Sequence, residues 1–276
     1  LALMPTGGGK SLTYQVPTML REGLCIVVTP LIALMKDQVD RLRRLGINAA
    51  AIHSGLSMRQ IDIVLDNCVY GDVKFLYVAP ERLVTEAFRL RVERMRVSLL
   101  AVDEAHCISQ WGQDFRPSYL KIVEFLQRLP RRPAVAAFTA TATAQVRADI
   151  IRILQLHEPE TVVTGFDRPN LYFETRRALP SQKPKELLDL VLREGDNAGI
   201  VYCSTTKQVD ETARLLQSRG IRAAAYHAKL DAEVRRKNQD DFLYDRVQIM
   251  VATNAFGMGI DKSNVCLLYT SPSPRD

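Results

Sequence analysis

Met4-Pro5-Thr6-Gly7-Gly8-Gly9-Lys10-Ser11 is the stretch on which the rest of the chain is read. Three successive glycines let backbone N–H groups approach an anion, Lys10 supplies a point charge, and Ser11 offers a hydroxyl suited to Mg²⁺. An apolar lead-in from Leu1 to Met4 and a helical lead-out from Ser11 to Arg21 are what a phosphate-binding loop between strand and helix requires. The strict spacing asks for a glycine five positions before Gly9, where Met4 stands. A Gly-rich turn with a solvated lysine is the competing reading; the flanking strand and helix favour phosphate. Thr6, Gly7, Gly8, Gly9, Lys10 and Ser11 are therefore the candidate contacts to a nucleoside triphosphate.

A chain of 276 residues has room for two domains with separate cores, and 47% hydrophobic with 25% charged residues is a soluble, globular composition. A net charge of +6 favours a polyanionic partner, though weakly. The five cysteines are widely spaced and odd in number, which predicts free thiols in a reducing cytoplasm and no zinc site within the chain. No apolar run reaches membrane-spanning length, so no membrane partner is expected. The chain enters directly on the loop at Leu1, and a truncated N-terminus is the expectation.

Leu24 to Thr29 is a continuous apolar run of the kind buried on both faces of a parallel sheet. Pro17, lacking an N–H, should kink or end the preceding helix about one turn in. Helical and strand periods then alternate, with helices over 32–45, 58–68 and 86–96 and strands over 48–52, 73–78 and 98–102. This predicts right-handed crossovers and a doubly wound sheet. The strand at 98–102 runs into Asp103-Glu104-Ala105-His106. Ligands of such sheets gather at the carboxyl ends of strands, so both acids should face the crevice that holds Lys10. Asp103 would hold Mg²⁺, and Glu104 would position and deprotonate the attacking water.

Residues 107–119, CISQWGQDFRPSY, follow neither period and read as a loop. Its aromatics beside an arginine suit base stacking and phosphate contact. A small local core anchored on Trp111, the only tryptophan, explains the composition equally well. A strand at 134–138, a helix at 144–154 and a short strand at 161–164 follow. After a loop-rich boundary, the alternation repeats without a second Gly-Lys-Ser loop, which predicts two α/β domains with one nucleotide in the cleft between them.

These residues together resemble the helicase core of RecQ-type DNA helicases, within helicase superfamily 2, over Leu1 to about Val265. MPTGGGKSLTYQVP resembles motif I, in which Met4 is ordinary; TPLIALMKDQV (29–39) is similar to motif Ia, APERL (79–83) to Ib, DEAH (103–106) to II and FTATAT (138–143) to III. IVYCSTTK (200–207) and VATNAFGMGIDK (251–262) are similar to motifs IV and V. HCISQWGQDFRPSY is narrower than DEAH, because it resembles the aromatic-rich loop that marks this group. The resemblance implies two RecA-like doubly wound parallel-sheet domains, over residues 1–165 and 166–265, the second incomplete. It implies ATP and Mg²⁺ as cofactors, a cytoplasmic location, and 3′ to 5′ movement along single-stranded and forked DNA in recombination and repair. Lys10, Asp103 and Glu104 would be catalytic, with Gly257, Gly259 and Asp261 also near the nucleotide. Thr29, Lys36, Arg82, Trp111, Phe115, Arg116, Thr253 and Asn254 would contact DNA, and His106, Gln110, Thr139 and Thr141 would couple the two sites.

Gln113 stands where many family members have His. The segment that contacts adenine in the family and the motif VI that supplies an arginine to the γ-phosphate are absent, and zinc is expected only in a C-terminal region beyond this chain. Residues 266–276 are expected to be a non-native tail whose Ser/Pro composition cannot continue a parallel sheet. The chain as written should accordingly unwind little or no duplex. Two other functions fit the same motifs: an ATP-switched clamp that separates no strands, and an RNA-directed helicase, against which the Trp111 loop argues.

Overall fold

The computed structural model describes residues 1–5, 7–112, 114–165, 170–253, 256 and 262–270, the side chain of Ala33 aside. The chain divides into two compact units, Leu1–Asn170 and Leu171–Asp276.

In chain order the first unit comprises β1 (Ala2–Leu3), α1 (Lys10–Met19), β2 (Leu24–Val28), α2 (Ile32–Arg44), β3 (Ala49–Ile52), α3 (Met58–Tyr70), β4 (Phe75–Val78), α4 (Glu86–Val92) and β5 (Val97–Val102). It continues through α5 (Lys121–Arg128), β6 (Ala134–Thr139), α6 (Ala144–Ile153) and β7 (Val162–Val163). The strands form one sheet in the order β3-β4-β2-β5-β6-β1-β7, parallel at each pairing.

β2 shows why the sequence folds this way. Every side chain in it is buried, and the strand is paired on both sides by β4 and β5. Leu24, Ile26 and Val28 enter one core, while Cys25 and Val27 enter the core on the opposite face. Period-2 geometry divides an unbroken apolar run between two helix layers, each fully buried large side chain contributing about 1.5–3 kcal/mol. α3 begins with a reciprocal cap: Ser57 accepts from the Gln60 N–H, and the Gln60 side chain returns a bond to the Ser57 N–H.

Three features depart from the sequence expectations. α1 continues through Pro17 to Met19. Tyr14 and Thr18, both buried, flank the proline and hold the last turn, which closes with a bond from the Leu20 N–H to the Pro17 carbonyl at 3.3 Å. α5 has no counterpart in the sequence reading, yet Ile122, Phe125 and Leu126 are buried at helical spacing. Phe125 meets Phe88 of α4 edge-on, with ring centroids 5.7 Å apart. Phe125→Ala is expected to cost about 3–5 kcal/mol through the cavity it leaves, read as a lower urea midpoint.

The second unit comprises α7 (Lys183–Arg193), β8 (Ala198–Tyr202), α8 (Thr206–Ser218), β9 (Ala223–Tyr226), α9 (Ala232–Leu243), β10 (Ile249–Ala252) and β11 (Val265–Thr270), with strand order β11-β8-β10-β9. β11 is the third departure and corrects the expectation that the sheet stops before residue 266. It runs parallel to β8 through Thr270, and Leu267 joins the buried core. Val-Cys-Leu-Leu-Tyr-Thr is a good strand in its own right. The prolines that prompted the opposite expectation come after it, at 272 and 274, outside the described residues.

Among the described residues no helix is long and apolar enough to cross a membrane. All five cysteines are free thiols.

Candidate nucleotide-binding site

Gly7 and Gly9 have φ of 80° and 82°, the left-handed region in which an L side chain is strained. The intervening Gly8 N–H bonds back to the Pro5 carbonyl at 3.0 Å, and a Cβ on Gly8 would meet that oxygen at 2.9 Å. The chain turns sharply and enters α1 at Lys10 with Gly9 as N-cap and no side-chain cap. First-turn N–H groups that no side chain caps, at the positive end of the helix dipole, suit an anion. Thr6 lies outside the described residues.

Asp103 follows the last residue of β5 and stays in line with β2 through a bond from its N–H to the Val28 carbonyl, 2.9 Å long. Its side chain is 9% exposed. Burial foremost, then the neighbouring Glu104 charge, push its pKa up to about 6, while Lys10 pulls the other way. Lys10 and Asp103, far apart in sequence, thus act on each other electrostatically, and Ser11 sits beside the Tyr14 hydroxyl, which itself feels Asp103. The Tyr119 hydroxyl donates to the Asp103 carbonyl at 2.8 Å, tying the end of the following loop to the acid.

Glu104 adopts φ 47°, ψ 44°. A left-handed conformation costs a non-glycine residue about 1–2 kcal/mol, so the turn turns the chain sharply out of β5 at some expense. Its carboxylate lies 3.3 Å from His106 Nδ1. The same nitrogen is 2.9 Å from the Thr139 hydroxyl. Thr139 Oγ1 donates to the Thr141 carbonyl at 3.0 Å, which assigns the proton to His106 Nδ1 and makes the threonine its acceptor. Burial first, with Lys10 and Arg116 adding to it against Asp114 and Asp103, holds His106 below the usual histidine range, so the ring is neutral at pH 7. The end of β5 and the end of β6 are joined through this histidine.

Trp111 is 74% exposed, which removes the local-core reading. Phe115 and Arg116 are half-buried and Gln110 is exposed. The Arg116 guanidinium is held by Asp114 at 2.9 and 2.7 Å. Gln113 lies outside the described residues.

Thr29 requires a correction: it is 1% exposed and its hydroxyl donates to the Asp103 carboxylate at 3.4 Å. Its side chain faces the acid and not the surface, because it lies at the carboxyl end of β2 beside that of β5. Lys36 is exposed and Arg82 half-buried, and both act electrostatically on His53. His53 is 6% exposed and its Nδ1 accepts the Gly55 N–H at 3.1 Å. Burial, then the two cations, lower its pKa. Arg82 Nε is buried without a hydrogen-bond partner, an unmet donor suited to an anion.

In the second unit, the Thr253 N–H bonds to the Tyr226 carbonyl at 3.3 Å at the end of β10. Asn254, Gly257, Gly259 and Asp261 lie outside the described residues. No three His, Cys, Asp or Glu side chains gather into a metal cluster among the described residues. A carboxylate and a hydroxyl are nevertheless the protein ligands Mg²⁺ ordinarily takes when phosphates and waters fill its remaining positions.

The family model of the DEAD/DEAH box helicases matches residues 1–150, and that of the helicase conserved C-terminal domain matches residues 182–275. The ATP-dependent DNA helicase RecQ of Bacillus subtilis strain 168 is 45% identical over 274 residues, which is 99% of this chain and 46% of that protein. That of Haemophilus influenzae is 42% identical over 276 residues, 100% of this chain and 44% of that protein. The chain therefore spans less than half the length of these relatives. Among solved structures, the Mycobacterium smegmatis helicase Lhr bound to ssDNA and AMP-PNP matches with a TM-score of 0.71 at 22% identity, over 99% of this chain and 40% of that one. That likeness bears on the fold alone. With its loop, its acids and its sheet order in place, the chain belongs to the DEAD/DEAH box helicase family and, within it, is of the RecQ type.

Proposed function

We propose that the chain is the ATP-hydrolysing core of an ATP-dependent DNA helicase that moves 3′ to 5′ along single-stranded DNA. The observation that carries this reading is Asp103: a buried carboxylate at a strand end, raised to about 6, beside the one lysine of a left-handed glycine loop. Such a group is stabilised by a cation arriving with a phosphate ligand.

Lys10 and the first-turn N–H groups of α1 hold the phosphates, and Ser11 and Asp103 hold Mg²⁺. When bound, that ion neutralises charge developing on the phosphate oxygens. Glu104 orients a water and accepts its proton, and His106 holds Glu104 against Thr139 so that movement at β6 reaches the base. Residues 1–165 and 166–265 act as the two motor domains, with Gly257, Gly259 and Asp261 on the nucleotide and Thr253 and Asn254 on DNA. Trp111 and Phe115 stack on bases, while Arg116, Lys36 and Arg82 meet phosphates without reading sequence.

The test is nucleotide binding followed calorimetrically with and without Mg²⁺: tight binding that requires both Mg²⁺ and Lys10 supports the reading, and binding indifferent to either overturns it. Trp111→Ala should weaken single-stranded DNA binding by the loss of about 1–3 kcal/mol of stacking and reduce DNA stimulation of ATP hydrolysis, measured by comparing ATPase rates with and without DNA.

A further inference from the structure

Ser109 lies two residues before Trp111 and is 0% exposed. Its hydroxyl donates to Asp149 Oδ2 on α6 at 2.7 Å and accepts the Trp111 backbone N–H at 3.2 Å. Asp149 is itself buried, at 6% exposure, and its second oxygen takes the Arg152 guanidinium at 2.8 Å. The Arg152 bond first, then the Ser109 hydroxyl, hold the Asp149 carboxyl below its usual range, so it is ionised at neutral pH. A buried carboxylate satisfied by one serine and one arginine forms charge-assisted bonds, stronger and more directional than neutral ones.

The Gly112 N–H bonds to the Ser109 carbonyl at 3.0 Å, and a Cβ on Gly112 would meet the His106 carbonyl at 2.4 Å, so the turn is pressed onto the segment that follows Glu104. Trp111 and Asp149 line one cavity of about 360 Å³ with Gln110, Phe115, Gln145 and Arg152. The indole is exposed while the backbone beneath it is fixed.

We infer that Ser109 and Asp149 are positioning residues that pin the base of the Trp111 loop to α6. They form a second link between the segment following Glu104 and the β6–α6 segment, parallel to the His106–Thr139 contact. A change at the carboxyl end of β6 then reaches the loop through the helix as well as through the histidine. The part of this inference that concerns DNA rests on the reading of the loop as a single-stranded DNA contact.

Trp111 is the chain's single tryptophan, so its fluorescence reports on the loop directly. Time-resolved anisotropy of the 276-residue chain without DNA should show a larger fast depolarising component in Ser109→Ala than in the parent. Single-stranded DNA affinity should fall about fivefold, the factor to which one lost hydrogen bond of about 1 kcal/mol converts. Asp149→Asn, which keeps an acceptor oxygen but not its charge, should shift both readouts in the same direction and by less; it carries the test alone if Ser109→Ala does not fold. A purely structural role would lower Tm and leave the Trp111 anisotropy of the folded protein unchanged, and that result overturns the inference. A larger fast component with unchanged DNA affinity upholds the link and overturns the DNA reading of the loop.

Discussion

Glu104→Gln is expected to bind nucleotide as the parent does and to lose hydrolysis by about 10²–10⁴-fold, the span of general-base contributions. The substitution keeps the size of the side chain and a hydrogen-bond acceptor toward His106, so the turn at φ 47° and the contact with Nδ1 have no reason to move. What it removes is the proton acceptor. Single-turnover hydrolysis of bound ATP is the relevant measurement, in a chain carrying every group the reaction needs. A small fall would reassign the base, and His106, whose ring is neutral, is the next group to examine.

Lys10→Ala should act on binding. The ammonium is a charge-assisted donor at the mouth of α1, and losing such a contact costs about 1.5–3 kcal/mol, or roughly 10- to 150-fold in affinity. Asp103 feels the same change, because Lys10 is the largest influence holding its pKa down against burial and Glu104. The Lys10→Ala protein should therefore have an Asp103 that is still harder to ionise and a weaker Mg²⁺ requirement for what binding remains. Titration of nucleotide at fixed low and high Mg²⁺ separates the two effects.

The sequence announces some of this architecture and is silent on the rest, for physical reasons. β2 is legible because five consecutive apolar residues leave a doubly covered parallel strand as the economical solution, and the structure buries all five. The glycine loop is legible because positive φ at Gly7 and Gly9 is what those residues permit. α5 is hidden by its closeness to an aperiodic loop, although Ile122, Phe125 and Leu126 carry the helical spacing that would have found it. β11 is obscured by prolines that lie beyond it. The inward turn of Thr29, the gathering of Lys36 and Arg82 on His53, and the Ser109–Asp149 bond all join residues brought together only by sheet order, which no local pattern encodes.

A pKa raised by folding makes its own prediction, with the sign fixed by linkage. Asp103 is protonated more readily in the folded chain than in the unfolded one. Its contribution to stability is therefore fully present below the usual carboxylate range and lost as pH rises through about 6. A bound cation reverses this by requiring the ionised form, so Mg²⁺–nucleotide affinity should climb from pH 5 to 7 and level off above.

The most direct measurement is proton release on binding Mg²⁺–ATP at pH 6, obtained by calorimetry in two buffers of different ionisation heat, for the parent and for Asp103→Asn. If Lys10 and Asp103 share one triphosphate and metal pocket, the parent should release about half a proton more than the variant, the fraction of Asp103 that is protonated when pH equals its raised pKa, and should bind more tightly. Equal proton release and equal affinity in the two proteins would mean that Asp103 does not meet the nucleotide's metal.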